Sequence, residues 1–336
     1  MKFAVVGAGS IGGFLGVRLA LAGEEVAFIA RGANLEAIRA NGMKLINEDG
    51  TEQLARGVRA TQSMDEAGVQ DVVLLALKAH QVSAVANDAR ALLGPDTAVV
   101  TLQNGIPWWY FYKQGGVFDG RPVRSVDPDG TLSAAIDSAR IIGAVVYPAA
   151  ELVAPGVVKV IEGNRFILGE PDGAKSERVV RIAEALTRAG FKAPVSSDLR
   201  SDIWLKLWGN LTFNPVSALT HATLGAICGF EPTRRLAADM MQEAQSIAEK
   251  LGVRFRITID KRIAGAQAVG EHKTSMLQDV ELGRAIELEA LLGAVIELGR
   301  LTETPTPHLD AVYACCALLG RTLTEQKGRV RVEPMA

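Results

Sequence analysis

The first thirteen residues, Met1-Lys2-Phe3-Ala4-Val5-Val6-Gly7-Ala8-Gly9-Ser10-Ile11-Gly12-Gly13, decide the fold. The apolar run Phe3 to Val6 has the unbroken hydrophobicity of a strand buried on both faces. It stops at Gly7, and an apolar helical pattern through Leu15, Leu19 and Ala22 follows. In a strand, glycine turn and helix of this kind, Gly7 permits the tight turn, Gly9 lets a pyrophosphate approach the backbone, and Gly12 lets the helix lie close to the strand. The phosphates then rest on the helix start, against Ala8, Ser10 and Ile11, where free N–H groups and the dipole favour negative charge. An ordinary glycine-rich loop carries the same three glycines; the strand before it and the helix after it favour a dinucleotide.

Around this motif the chain has 336 residues, enough for about two domains, and 48% of them are hydrophobic, enough for real cores. The formal net charge is −2 with both signs spread along the sequence. That leaves no basic stripe for nucleic acid and no polybasic patch for a membrane surface. The three cysteines, Cys228 and the neighbours Cys315 and Cys316, fit a reducing compartment. The first apolar run is too short for a cleaved signal, and no segment reaches about 18 uninterrupted apolar residues, so a cytoplasmic protein is expected. The four histidines lack the spacing of a ligand set, so no metal site is expected.

A second strand is expected over 25–30, ending at Arg31. An NAD-binding sheet would offer an acidic residue here to the adenine ribose; a guanidinium instead suits a 2′-phosphate and favours NADP, although a surface arginine in a loop looks the same. The runs 71–77 and 97–102 read as further buried strands, followed by Lys78 and by Gln103-Asn104-Gly105. Ligands of open parallel sheets gather at the carboxyl ends of strands, which places Lys78 and Asn104 beside the cofactor. For Asn104-Gly105, plain turn chemistry is an equal explanation. The cluster Trp108-Trp109-Tyr110-Phe111-Tyr112, with the Gly-, Asp- and Pro-rich stretch to 133, reads as a mobile flap over a substrate pocket or as an insertion packed on the sheet, the flap being slightly favoured.

The strand-like segments 141–147, 156–161 and 165–168 and a helix over 176–189 close a first domain, 1–195. In 196–336 long amphipathic patterns replace strand signals, so a helical domain is expected. Its first stretch sets Lys206, Asn210 and Asn214 four residues apart among Trp204, Leu205, Leu207, Trp208, Leu211 and Phe213, with Pro215 after them. A step of four overshoots a helical turn by about 40°, so the three polar groups form one slanting row. A solvated stripe is the ordinary reading, but the surroundings are too apolar for it, and the proline suggests a kink. Ser275-Met276-Leu277-Gln278 has the form of a capping box and of an anion-binding helix start. Glu287 follows twelve residues on. The last helix, 309–323, reads as core or as the interface of a homodimer.

Taken together, Gly7-x-Gly9-x-x-Gly12, Lys78-Ala79-x-Gln81, Gln103-Asn104-Gly105, the Lys206/Asn210/Asn214 row and Ser275 with Glu287 resemble the ketopantoate reductases (2-dehydropantoate 2-reductases) from residue 1 to about 300. The resemblance implies an α/β, Rossmann-like NADP-binding domain joined to an all-α domain similar to the C-terminal domain of 6-phosphogluconate dehydrogenase, with the active site in the cleft between them. It implies NADPH-dependent reduction of a small 2-keto acid, 2-dehydropantoate, to (R)-pantoate, on the way to pantothenate and coenzyme A. By resemblance Lys206 is the general acid, Asn104 lies near nicotinamide and substrate, and Asn210, Asn214 and Ser275 hold the substrate's hydroxyl and carboxylate. Glu287 would organise the lysine and the nicotinamide ribose, Arg31 and Lys78 would grip the 2′-phosphate, and Ala149 would offer a backbone contact to the cofactor. The chain departs from the family pattern at Leu224, where a further substrate-side Asn is common, and at 108–112. Two other readings stay open: a reductase of another, bulkier 2-keto acid or ketone, and a non-catalytic NADPH sensor.

Overall fold

The computed structural model describes residues 1–333 and divides into two compact units. The first comprises Met1–Asn104, Trp108–Pro122 and Asp127–Asp202. Its main sheet uses β1 (Lys2–Val6), β2 (Glu25–Ile29), β5 (Arg59–Thr61), β6 (Gln70–Leu75), β7 (Leu93–Thr101), β8 (Ile141–Val146) and β11 (Phe166–Gly169), in the order β11-β8-β7-β6-β1-β2-β5. All neighbours are parallel except β11 and β8. A central strand of such a sheet has helices on both faces and can carry only apolar side chains, so Phe3 to Val6 and Val72 to Leu75 are almost fully buried.

A second sheet, in the order β4-β3-β10-β9, was not expected from the sequence; it joins β3 (Met43–Ile46), β4 (Glu52–Ala55), β9 (Ala149–Ala154) and β10 (Val157–Glu162). Helix α1 (Ser10–Leu21) touches both sheets, and its glycines make that possible. A methyl group at Gly16 would lie 2.3 Å from the ring of Phe28 on β2, and one at Gly13 would lie 2.4 Å from Met43 on β3. The remaining helices of this unit are α2 (Gly32–Asn41), α3 (Met64–Ala67), α4 (Ala79–Ala86), α5 (Thr131–Ala135) and α6 (Glu177–Arg188). Edge-on aromatic pairs, Phe14 with Phe191 and Phe191 with Phe166, fill the space beneath α1 and α6.

The aromatic segment is core, which corrects the flap expectation. Trp108, Trp109, Tyr110 and Phe111 are all buried. Trp109 donates from Nε1 to Thr101 Oγ1 at 3.1 Å, and Gly143 on β8 leaves the notch its ring occupies. Arg200 then bolts the segment down by donating to the carbonyls of Tyr110 (2.9 Å) and Tyr112 (2.7 Å). Four large apolar side chains gain more from burial than a solvated flap could offset.

The second unit comprises Gly105–Pro107, Val123–Val126 and the chain from Ile203 onward. Its helices are α7 (Leu199–Thr220, whose first residues belong to the first unit), α8 (Leu224–Gly229), α9 (Glu231–Lys250), α10 (Ile259–Ala268), α11 (Ser275–Glu281), α12 (Ala294–Leu301) and α13 (Pro307–Glu325). A π-turn, Glu289–Gly293, precedes α12. Helix α7 is the centre of this core: Trp204 and Trp208 are fully buried, and Trp208 donates to the carbonyl of Met241 on α9 at 2.8 Å. No helix among the described residues is long and apolar enough to cross a membrane.

Candidate active site

In the first unit the register pairs Val6 with Ile29, Val6 with Leu75, and Leu75 with Thr101. Four parallel strands therefore end level, and Gly7, Arg31, Lys78 and Asn104 all follow those ends. This is the edge where an open parallel sheet binds its ligands. Gly7 has φ +100°, a region that favours glycine, and a methyl group there would meet Leu77 at 2.7 Å. At Gly12 it would lie 2.0 Å from the Gly7 carbonyl oxygen, a clash that no backbone of this shape could absorb.

Gly9 is the exception, since a methyl group there would meet nothing within 4 Å. It is also the N-cap of α1 and has no side-chain cap. The loop is held from below, where Asn34 donates to the Ala8 carbonyl at 2.7 Å and accepts from Gly156 N–H at 2.7 Å. An open glycine above uncapped helix amides, on a loop that cannot shift, fits the pyrophosphate of a dinucleotide. Ser10, Ile11 and Gly12 carry those amides.

Arg31 is exposed and is the N-cap residue of α2, directly past β2. Lys78 is partly buried at the N-cap of α4, where its backbone N–H donates to Gln81 Oε1 at 3.3 Å. Gln103 uses its amide to tie the end of β7 to β6, donating to the carbonyls of Leu75 (2.7 Å) and Leu77 (3.0 Å). The sequence reading passed over this clamp and over Asn34, both of which look locally like loop polar residues. Ala149 opens β9 and is partly exposed.

In the second unit, α7 runs unbroken through Lys206, Asn210 and Asn214, with Pro215 inside it. The row is not a solvated stripe: Lys206 and Asn210 are partly buried and Asn214 is 7% exposed. Burial among apolar side chains pulls the Lys206 ammonium down to about 8, and the charge of Glu287 opposes that fall. The fold thus brings the lysine and the glutamate, 81 residues apart in sequence, within electrostatic range. Glu287 lies in the irregular stretch just before the π-turn and is partly buried.

Ser275 needs a correction. Helix α11 is capped by Thr274, whose side chain accepts from Leu277 N–H at 3.3 Å, and Ser275 is the first helical residue, with its side chain exposed. Thr and Ser are both good caps; Thr274, 4% exposed and with extended backbone, takes the position. Leu224 begins α8, partly exposed, after the Thr223 cap.

Gly209 and Arg262 escaped the sequence reading. Gly209 lies in the interior of α7, where glycine costs about 1 kcal/mol relative to alanine. The space it leaves is filled by the guanidinium of Arg262 from α10, whose Nη2 would lie 1.9 Å from a methyl group at that position. The same guanidinium carbon stands 6.0 Å from the ring centre of Phe213.

Residues 3–173 match the family described as Ketopantoate reductase PanE/ApbA, and 198–319 match its C-terminal counterpart. A 2-dehydropantoate 2-reductase of Mesorhizobium japonicum is 55% identical over 329 residues, covering 98% of this chain and 99% of its own. A solved protein of Ralstonia solanacearum MolK2 is 40% identical with a TM-score of 0.91, over 96% of this chain and 98% of that one. The 2-dehydropantoate 2-reductase structure from Geobacter metallireducens GS-15 is 27% identical with a TM-score of 0.82, over 95% and 99%.

Proposed function

The chain belongs to the PanE/ApbA ketopantoate reductase family, and from that premise we propose that it reduces 2-dehydropantoate to (R)-pantoate with NADPH, in the cytoplasm. One observation carries the chemistry: a lysine on an apolar helix, lowered to about 8 by burial and faced by the charge of Glu287. A non-catalytic sensor has no use for that pair.

In this reading the glycine loop holds the pyrophosphate on the amides of α1, while Arg31 and Lys78 take the 2′-phosphate. Ala149 adds a backbone contact, and Asn104 orients nicotinamide and substrate. When bound, the reduced nicotinamide supplies a hydride to the C2 carbonyl carbon of the keto acid. The carbonyl oxygen then gains negative charge, and Lys206 donates first a hydrogen bond and then its proton to that oxygen, ending as a neutral amine. A lysine near 8 is a stronger acid than an ordinary lysine, yet at pH 7 it remains about ten parts protonated to one part neutral. Glu287 keeps the ammonium charged between turnovers and takes the nicotinamide ribose. Asn210, Asn214 and Ser275 bind the substrate's hydroxyl and carboxylate.

Burial of Trp108 to Phe111 in the first unit's core removes the reason for enlarging the substrate at those side chains, so ketopantoate itself is the preferred substrate. NADPH oxidation across a panel of 2-keto acids tests this. Turnover should be fastest with 2-dehydropantoate, and preference for another acid by tenfold or more would overturn the assignment. In Lys206→Ala, kcat should fall about 100-fold or more.

A further inference from the structure

We propose that Gln103 is a positioning residue for the dinucleotide: its side-chain amide holds the turn after β6 against the glycine loop and so fixes the seat of the pyrophosphate. Strand β7 ends at Thr101. The Leu102 N–H still donates to the Leu75 carbonyl at 3.3 Å, but beyond it the chain leaves for the strap Gly105–Pro107. The carbonyls on that side of β6 need donors, and Gln103 Nε2 donates to Leu75 at 2.7 Å and to Leu77 at 3.0 Å. On the opposite side Ala76 N–H donates to the Val6 carbonyl at 2.9 Å. Residues 75–77 are therefore held between the ends of β1 and β7, with a side chain standing in for the missing strand.

What those residues touch is the second observation. A methyl group at Gly7 would meet Leu77 Cδ2 at 2.7 Å and the Ala76 carbonyl oxygen at 2.9 Å, and one at Gly12 would meet Ala76 Cβ at 2.9 Å. Ala76 and Leu77 thus form the wall on which the phosphate loop rests. The far end of the amide is the third observation. Gln103 Oε1 is buried and has no hydrogen-bond partner among the described residues. Turned over, the amide would set Oε1 against two carbonyl oxygens, so the observed orientation is the one that forms bonds. A buried acceptor left unpaired opposes folding at least as much as one hydrogen bond favours it, and an apolar residue of the same length would avoid that penalty. Stability alone does not account for a glutamine here; the two donations do.

The inference rests on the glycine loop holding the dinucleotide, as read above, and the tests separate the two. Gln103→Met keeps the length of the side chain and loses both donations. In the full-length protein without coenzyme, amide hydrogen exchange should quicken about tenfold or more in 75–78 and in the loop 7–12, with β2 and α6 unchanged, because two hydrogen bonds no longer restrain the turn. NADPH and NADH, titrated by fluorescence, should both bind about 10- to 30-fold more weakly, since both carry the pyrophosphate, while kcat at saturating coenzyme stays within about threefold. Gln103→Glu has the same shape and no donor at neutral pH, and it should bind the coenzymes no better than the Met variant.

Leu77→Ala is the independent variant. It leaves Gln103 in place and removes part of the wall, and Leu77 is only partly buried, so the protein should fold while both coenzymes bind more weakly. A merely structural role predicts exchange that quickens throughout the sheet, a lower unfolding midpoint, and unchanged coenzyme binding by the folded protein. That outcome, or wild-type binding and exchange in Gln103→Met, overturns the proposal. A wild-type protein that binds neither coenzyme would instead defeat the dinucleotide reading. The exchange comparison, made without coenzyme, then still decides the glutamine's role: selective loosening of 7–12 supports it, and the absence of that loosening refutes it.

Discussion

The pH dependence of reduction follows from Lys206. Its ammonium is lowered to about 8 because burial disfavours the charged form, and Glu287 offsets part of that penalty. With Lys206 as the proposed general acid, reduction needs the protonated lysine, so activity should be complete below the lysine's pKa and lost as pH rises through it. With a pKa of about 8, the protonated fraction is about ten in eleven at pH 7 and about one in eleven at pH 9, a tenfold fall. An ordinary lysine near 10.4 would lose only about 4% of its protonated form over the same interval. Replacing Glu287 by Gln removes the opposing charge and leaves burial alone, so the lysine drops further and the basic limb moves toward acid. Single-turnover NADPH oxidation at saturating substrate, followed from pH 6 to 10, isolates hydride and proton transfer from product release. A flat profile between pH 7 and 9, or a limb that moves toward base in Glu287→Gln, would refute the reasoning.

Other outcomes follow from the first unit. Arg31→Ala should raise the KM for NADPH by about 10- to 100-fold and that for NADH by threefold or less, as expected for losing a charged contact to phosphate; equal effects reject the 2′-phosphate assignment. Gly12→Ala should destabilise the protein by about 1 to 3 kcal/mol in denaturant and abolish tight NADPH binding, because the methyl group meets the Gly7 carbonyl oxygen at 2.0 Å; unchanged binding would show that the loop can yield. Trp109→Ala should cost on the order of 3 kcal/mol or more, the price of a cavity in a packed core. A loss under about 1 kcal/mol would restore the flap.

What the sequence made legible was what neighbours in sequence can decide. The glycine turn is local: strand, Gly7, Gly9 and Gly12 lie within a dozen residues, and each glycine's neighbours in space belong to the same motif or to strand ends nearby. The Lys206 row was visible because its apolar surroundings sit on the same helix. The second sheet was invisible because β3 pairs with β10 across more than 100 residues, Lys44 with Val157, and its short strands alternate only weakly between buried and exposed. The aromatic cluster leaned toward a flap until Gly143 and Arg200, far along the chain, supplied the notch and the bolts. Arg262 reads as one more charge in an exposed Asp-Lys-Arg run, and only the interior glycine at 209 hinted that a side chain from elsewhere comes close.

At Asn104-Gly105 the glycine does more than close a turn. Gly105 has φ +91°, as a turn would ask, but a methyl group there would also lie 2.1 Å from the Ala290 carbonyl oxygen, to which Ile106 N–H donates at 2.9 Å. Ala290 belongs to the π-turn, three residues past Glu287, and a π-turn interrupts the regular helical pairing of its carbonyls. The strap Gly105–Pro107 thus donates a backbone hydrogen bond to a carbonyl of that turn. From the other side Tyr313 on α13 donates to Glu289 Oε1 at 2.8 Å, and burial together with this carboxylate pushes the phenol up to about 12, so it stays a donor at any working pH. The stretch that carries Glu287 is thus pinned at the turn that follows it by a glycine and by a phenol. A carboxylate meant to hold one lysine charged must not wander, because its field at the ammonium falls with distance. The glycine serves the electrostatics of Lys206 through the backbone it allows to approach.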